Sequence, residues 1–153
     1  MPTEHVNIAD GERHEPKGIA SALDGQIYEC NGSESGAWRY PRIALTVKMS
    51  TIATAQSVWV VSPIAGTIEK IYSVMNGAPT GSAEAISTEI GGVAVTNGGL
   101  TLATGGSAGD VDSATPTALN TVAAGQAIEI ISAGNSGGTV DATFTIYIKG
   151  STS

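Results

Sequence analysis

The sequence predicts an all-β protein: an antiparallel β-sandwich, most simply an eight-stranded jelly roll, preceded by an extended N-terminal arm. Three observations predict it. From Ile43 onward apolar residues recur with period two or in short β-branched runs, and no stretch keeps a helical period. Turn signals rich in Gly, Asn and Pro separate about eight such runs at roughly 8–12-residue spacing, the sign of a sandwich or barrel. The 153 residues are 41% hydrophobic and only 14% charged, which gives one domain a core of its own and argues against disorder beyond the arm.

Residues 1–42 form the arm. They carry about half of the charged residues, both histidines (His5 and His14), Cys30 and Trp38. Their one strand-like run, Gln26-Ile27-Tyr28-Glu29-Cys30, precedes an Asn31-Gly32 turn signal, which suggests a small hairpin. Apolar residues are otherwise too sparse there to offset the entropy of ordering a separate core.

Residues 43–150 form the sandwich domain. Ile43, Leu45, Val47 and Met49 alternate with Ala44, Thr46, Lys48 and Ser50, as in a half-buried strand. Ser57-Val58-Trp59-Val60-Val61 is a continuous run that reads as a more fully buried strand, with Trp59 in the core. Pro63 to Gly66 interrupts, and Thr67–Val74 resumes until Asn76-Gly77-Ala78-Pro79. Strands over 83–90, 93–95 and 100–103 are separated by Gly91-Gly92 and Asn97-Gly98-Gly99, whose glycines can supply positive φ angles without a Cβ clash. Residues 104–119 read as loop, with Pro116 opening one short helical turn. The last strands are Ala127–Ser132 and Thr139–Lys149. In the latter, Val140, Ala142, Phe144, Ile146 and Ile148 face one way, while Thr139, Asp141, Thr143, Thr145, Tyr147 and Lys149 face the other.

Charge excludes some partners. The net charge is -7, and no basic residue lies between Lys70 and Lys149, so this span lacks the cationic footprint that nucleic acid requires. No apolar run approaches the ~18 residues of a membrane span, and the polar, acid-bearing start is not expected to be a secretory signal. Cys30 stands alone, so no intrachain disulfide or cysteine-based zinc site forms, consistent with synthesis in a reducing cytoplasm.

Catalytic constellations are missing from the sandwich domain. It contains no histidine, so its serines have no evident base, and no enzymatic activity is expected. Asp10, Glu12, His14 and Glu15 are metal-capable types, but a solvated charged arm explains them more simply. Asp110-Val111-Asp112-Ser113 matches half of a calcium loop and lacks its later Gly and Glu; such residues more often bond their own backbone. No cofactor is expected, and neither Gly91-Gly92 nor Gly105-Gly106 is followed by the Lys or helix start of a phosphate cradle.

Trp38-Arg39-Tyr40-Pro41-Arg42 interleaves two aromatics with two guanidinium groups at the junction of arm and domain. It serves either as a staple packing the arm onto the sandwich or as an interface hot spot, for which Trp, Tyr and Arg are the favoured types.

The run from Val58 to Gly77, the stretch Gly105–Thr117 and the segment Val122–Ile128 resemble small virion proteins of tailed bacteriophages. So do His14-Glu15-Pro16-Lys17-Gly18 and Gly25-Gln26-Ile27-Tyr28 in the arm. The family implied is that of capsid decoration, or cement, proteins. The resemblance implies a small jelly-roll protein, made in the host bacterial cytoplasm, that binds the major capsid protein on the outer virion surface and forms homotrimers. It also favours a jelly roll over an immunoglobulin-like topology.

The expected function is thus structural: bridging neighbouring coat subunits, with Arg13, Lys17, Trp38, Arg39, Tyr40 and Arg42 as candidate contacts. Forty extended residues reach far at up to ~3.3 Å each, and an arm of low internal stability orders on its partner. The alternative is a tail-fibre or baseplate receptor-binding module. The 76–82, 91–99 and 104–119 loops contain no aromatic residue for sugar stacking, which counts against it. A secreted enzyme or lectin is a further, weaker rival.

Overall fold

The computed structural model describes residues 22–30 and 36–151. The chain divides into two units, one ending at Pro41 and the other beginning at Arg42. In the first, β1 (Ile27–Cys30) pairs antiparallel with β2 (Gly36–Arg39), Tyr28 lying opposite Trp38. The expected Asn31-Gly32 turn lies outside the described residues.

The second unit is an antiparallel β-sandwich. Its strands are β3 (Arg42–Met49), β4 (Gln56–Val61), β5 (Gly66–Met75), β6 (Glu84–Ile90), β7 (Val93–Ala94), β8 (Leu100–Leu102), β9 (Val111–Ala114), β10 (Thr121–Val122), β11 (Ala127–Ser132) and β12 (Ala142–Gly150). One sheet runs β10-β5-β12-β3, with β9 also on β5; the other runs β4-β11-β6-β7, with β8 also on β6.

Period-two alternation turns one residue set of each strand inward. From the first sheet come Ile68, Ile71, Phe144, Ile146 and Ile148; from the second come Ile86, Leu102, Ile128 and Ile130. All lie in one buried core. Val140 and Ala142 join it, as the alternation over 140–148 predicts. At Gly91-Gly92 both φ angles are positive, 60° and 76°, which closes the β6–β7 hairpin at the expected place.

Three local expectations are corrected. Trp59 is not core: its residue is 58% exposed, and Val61 is 56% exposed. β4 is an edge strand whose Val58 and Val60 pack on the core, so the opposite parity faces out. An unbroken apolar run conceals that alternation. Residues 104–119 are not all loop, since β9 pairs with β5 from Ile71↔Ala114 to Val74↔Val111. Pro116 is buried and starts no helix. Val-Asp-Ser-Ala is a weak strand former by itself and is held by its partner. Finally, β12 begins at Ala142 rather than Thr139, although Val140 still accepts a 2.8 Å hydrogen bond from the Ile52 N–H.

No helix among the described residues is long and apolar enough to cross a membrane.

Candidate functional site

The six sequence-nominated residues separate. Arg13 and Lys17 lie outside the described residues. In the β1–β2 hairpin, Trp38 is half-buried and meets Tyr28 edge to face, centroids 5.3 Å apart at 64°. Arg39 points to solvent and pairs with Glu29 at 3.0 Å, each side chain 55% exposed, so the pair contributes little to stability. Tyr40 is half-buried, and its hydroxyl is buried with no hydrogen-bond partner. In the second unit, Arg42 starts β3 and bonds Glu69 through Nε at 2.9 Å.

The sandwich itself presents two different outer faces. On the first sheet, Arg42 and Lys48 from β3, Lys70 from β5 and Lys149 from β12 all occupy outward positions. They are all the basic residues of the second unit. A register slip between Tyr147 and Ile148 leaves Glu69 without a β12 partner, so Lys70 lies opposite Tyr147 while Glu69 reaches Arg42. Lys48 pairs with Asp141 and helps to hold that carboxyl below its ordinary value. Lys70 and Lys149 have no carboxylate partner among the described residues; Lys70 hydrogen-bonds Thr115 at 3.0 Å and lies 5.8 Å above the Tyr72 ring.

At the centre of this face Tyr72 and Tyr147 meet edge to face, centroids 5.7 Å apart. With Val74, Val111, Thr143 and Thr145 they line a shallow groove of about 450 Å³. Tyr147 is 41% and Val111 60% exposed. Parity along the last strand already turns Tyr147 outward; its pairing with Tyr72 depends on register, which the sequence does not reveal.

The outer face of the second sheet is acidic. Trp59 on β4 lies opposite Glu129 on β11, and Glu129 lies opposite Glu89 on β6. Like charges directly opposite on a sheet repel. No Lys or Arg occurs in any strand of this sheet.

One buried cluster carries charge. Glu84, fully buried, receives the Gly134 N–H at 2.7 Å on Oε1 and the Ser136 N–H at 2.7 Å on Oε2, with the Ser132 hydroxyl 3.0 Å from Oε1. Burial alone pushes this carboxyl up, but the hydrogen bonds from Ser136, Ser132 and Gly134 outweigh it and hold it below its ordinary value. These partners lie about fifty residues away in the chain, so no local motif announces them.

Asp110 acts within its own turn, accepting the Ser107 N–H at 2.7 Å. Among the described residues, no three His, Cys, Asp or Glu side chains gather as a metal site. The arm residues His5, Asp10, Glu12, His14 and Glu15 lie outside that set.

No protein-family model matches the chain, and no curated protein matches it. Among solved structures, a chain from Bacillus endospore appendages, described as a family of disulfide-linked pili, is similar over 72% of this chain and 88% of its own. Identity is 20% and the TM-score 0.35. A likeness at that level carries no functional argument.

Proposed function

We propose that this chain is a structural, assembly-forming β protein, and specifically one that decorates the outer surface of a phage capsid and ties neighbouring coat subunits together. The observation that carries the assembly reading is the exposure of large apolar side chains on both outer faces, Trp59 and Val61 on one and Tyr147 and Val111 on the other. Exposed clusters of that kind mark interaction surfaces. The capsid assignment rests on the sequence resemblance. It includes a charged adhesive arm, no catalysis, no cofactor and a homotrimeric state.

The strand order supports the jelly-roll reading. Pairing β3-β12-β5-β9 in one sheet and β4-β11-β6-β8 in the other is the order produced when an antiparallel ribbon wraps into two Greek keys.

Two experiments test the proposal. Mass spectrometry of purified particles should give this chain in numbers comparable with the major coat protein; a ratio far below it would contradict decoration. Deleting residues 1–42 should leave a folded sandwich that no longer binds capsids. Trp38→Ala and Arg42→Ala should each weaken binding by about 1–2 kcal/mol if these residues are hot spots. Full binding by the deletion variant would remove the arm from the interface.

A second reading, a tail-fibre or baseplate receptor-binding module, draws on one observation. The Tyr72–Tyr147 pair stands among threonine hydroxyls on an open sheet, an amphipathic surface suited to sugar rings. Glycan-array binding abolished by Tyr147→Ala would favour it.

A further inference from the structure

We infer that the two outer faces of the sandwich are complementary halves of one interface. The acidic Trp59 face of one molecule docks on the cationic tyrosine face of a second copy of this chain.

The charges are segregated by sheet. The outward positions of the first sheet hold Arg42, Lys48, Lys70 and Lys149, opposed by Glu69 on the same strands and by Asp141 beside them. Four cations against two carboxylates leave an excess of two. The second sheet's outer face holds Glu89 and Glu129 and no cation, a deficit of two. The excess resides in Lys70 and Lys149, which lack carboxylate partners among the described residues; the deficit resides in two carboxylates set directly against each other. In an isolated molecule that carboxylate pair costs stability with no compensating contact on its own sheet. A lysine arriving from outside relieves it.

The apolar groups match in the same sense. Trp59 lies beside Glu129 in register, and Tyr147 lies beside Lys70 in register. Each face therefore sets a large aromatic next to one sign of charge. Bringing the faces together places lysines over an indole and carboxylates, adding cation–π attraction to charge pairing. It also covers Trp59, Val61, Val111 and Tyr147, four of the seven exposed large apolar residues among the described residues of the sandwich.

Two different surfaces meet in this contact, so it has no built-in twofold axis. Repetition closes into a ring where the rotation allows and otherwise extends as a stack, and a twofold dimer is not its product. The inference needs no capsid and stands apart from the decoration reading.

The test uses the purified full-length chain alone. Light scattering coupled to size exclusion should show oligomers in the wild type. Trp59→Ser with Glu129→Lys removes the acidic face; Lys70→Glu with Tyr147→Ser removes the cationic face. Both variants alter exposed or half-exposed positions, and matching melting curves establish that they fold; Trp59→Ala and Lys149→Glu serve as milder substitutes for either. Each variant alone should be monomeric, and their equimolar mixture should form a one-to-one heterodimer, because one intact acidic and one intact cationic face remain. Raising salt from about 0.01 M to about 1 M, which shortens the screening length from ~30 Å to ~3 Å, should weaken that heterodimer at least several-fold. A monomeric wild type at its highest soluble concentration, oligomers retained in either variant, or a mixture that stays monomeric would overturn the inference. A heterodimer indifferent to salt would overturn the charge pairing.

Discussion

The Glu84 Oε1 accepts the amide hydrogen of Gly134 at 2.7 Å, joining the first residue of β6 to the loop that follows β11. Gly134 has φ +71°, and a Cβ there would sit 2.2 Å from the Ala55 nitrogen. One loop position therefore meets a carboxylate by its N–H and a neighbouring backbone by its bare Cα. With the Ser136 N–H on Oε2, the carboxylate clamps residues 134–136 against the end of the sandwich.

Glu84→Gln should be costly despite its similar shape. The amide NH2 would face the N–H donors of Gly134 or Ser136, leaving a buried donor unpaired. We expect a loss of about 2–4 kcal/mol in unfolding free energy, measured by denaturant titration.

Acid should expose the same clamp. The Glu84 carboxyl is held below its ordinary value of 4.5, so on acidification the unfolded chain takes up this proton before the folded one does. Its contribution to stability is complete above the ordinary value and is lost as pH falls through the depressed folded value. Asp141, held low by Lys48, acts in the same direction. Wild-type unfolding free energy should fall between about pH 5 and pH 3, and Glu84→Gln should fall less steeply. Parallel curves would exclude Glu84 as the source.

Phe144→Ala and Trp59→Ala should differ sharply. Phe144 is fully buried among isoleucines from both sheets, and its truncation should cost about 3–5 kcal/mol. Trp59 is mostly exposed, so its truncation should change the stability of the dilute protein by less than about 1 kcal/mol. Thermal melts of the two variants decide this directly.

How much was legible in the sequence follows from these two aromatics. Phe144 sits in a strand of clean alternation, so its side of the sheet can be read from the residue string. Trp59 sits in an apolar run whose two parities look alike; only the register with β11, which sets Val58 and Val60 opposite the buried Ile130 and Ile128, reveals which side meets water. The long strands announced themselves by period two, whereas β9, with a single strand-favouring residue (Val111) before Asp, Ser and Ala, is defined by its partner β5. The charge segregation between faces was equally hidden. Lys70 and Lys149 are 79 residues apart in the chain and share a face only because β12 pairs with β5.

Gly66→Ala should fail for a purely steric reason. An added Cβ would lie 2.4 Å from the Lys149 carbonyl oxygen and 2.7 Å from the Ile148 Cγ2. Backbone cannot yield there without parting β5 from β12. We expect a melting temperature lowered by at least ~8 °C, corresponding to about 2 kcal/mol or more for a unit of this size. An unchanged melt would mean that the two strands separate freely at that point.

The position of β12 has a consequence for how the molecule is made. It is the middle strand between β3 and β5, yet of the strands among the described residues it leaves the ribosome last. The Thr46 and Thr145 hydroxyls lie 3.5 Å apart across that pairing and 99 residues apart along the chain. Until β12 emerges, β3 has no ladder partner, and Ile43, Leu45 and Val47 lack the strand that seats them. Contacts of such long sequence separation form slowly, and unpaired strands are aggregation-prone meanwhile. Nascent chains stalled before residue 142 should therefore be digested by protease over their whole length, and protection should appear abruptly once β12 has cleared the exit tunnel.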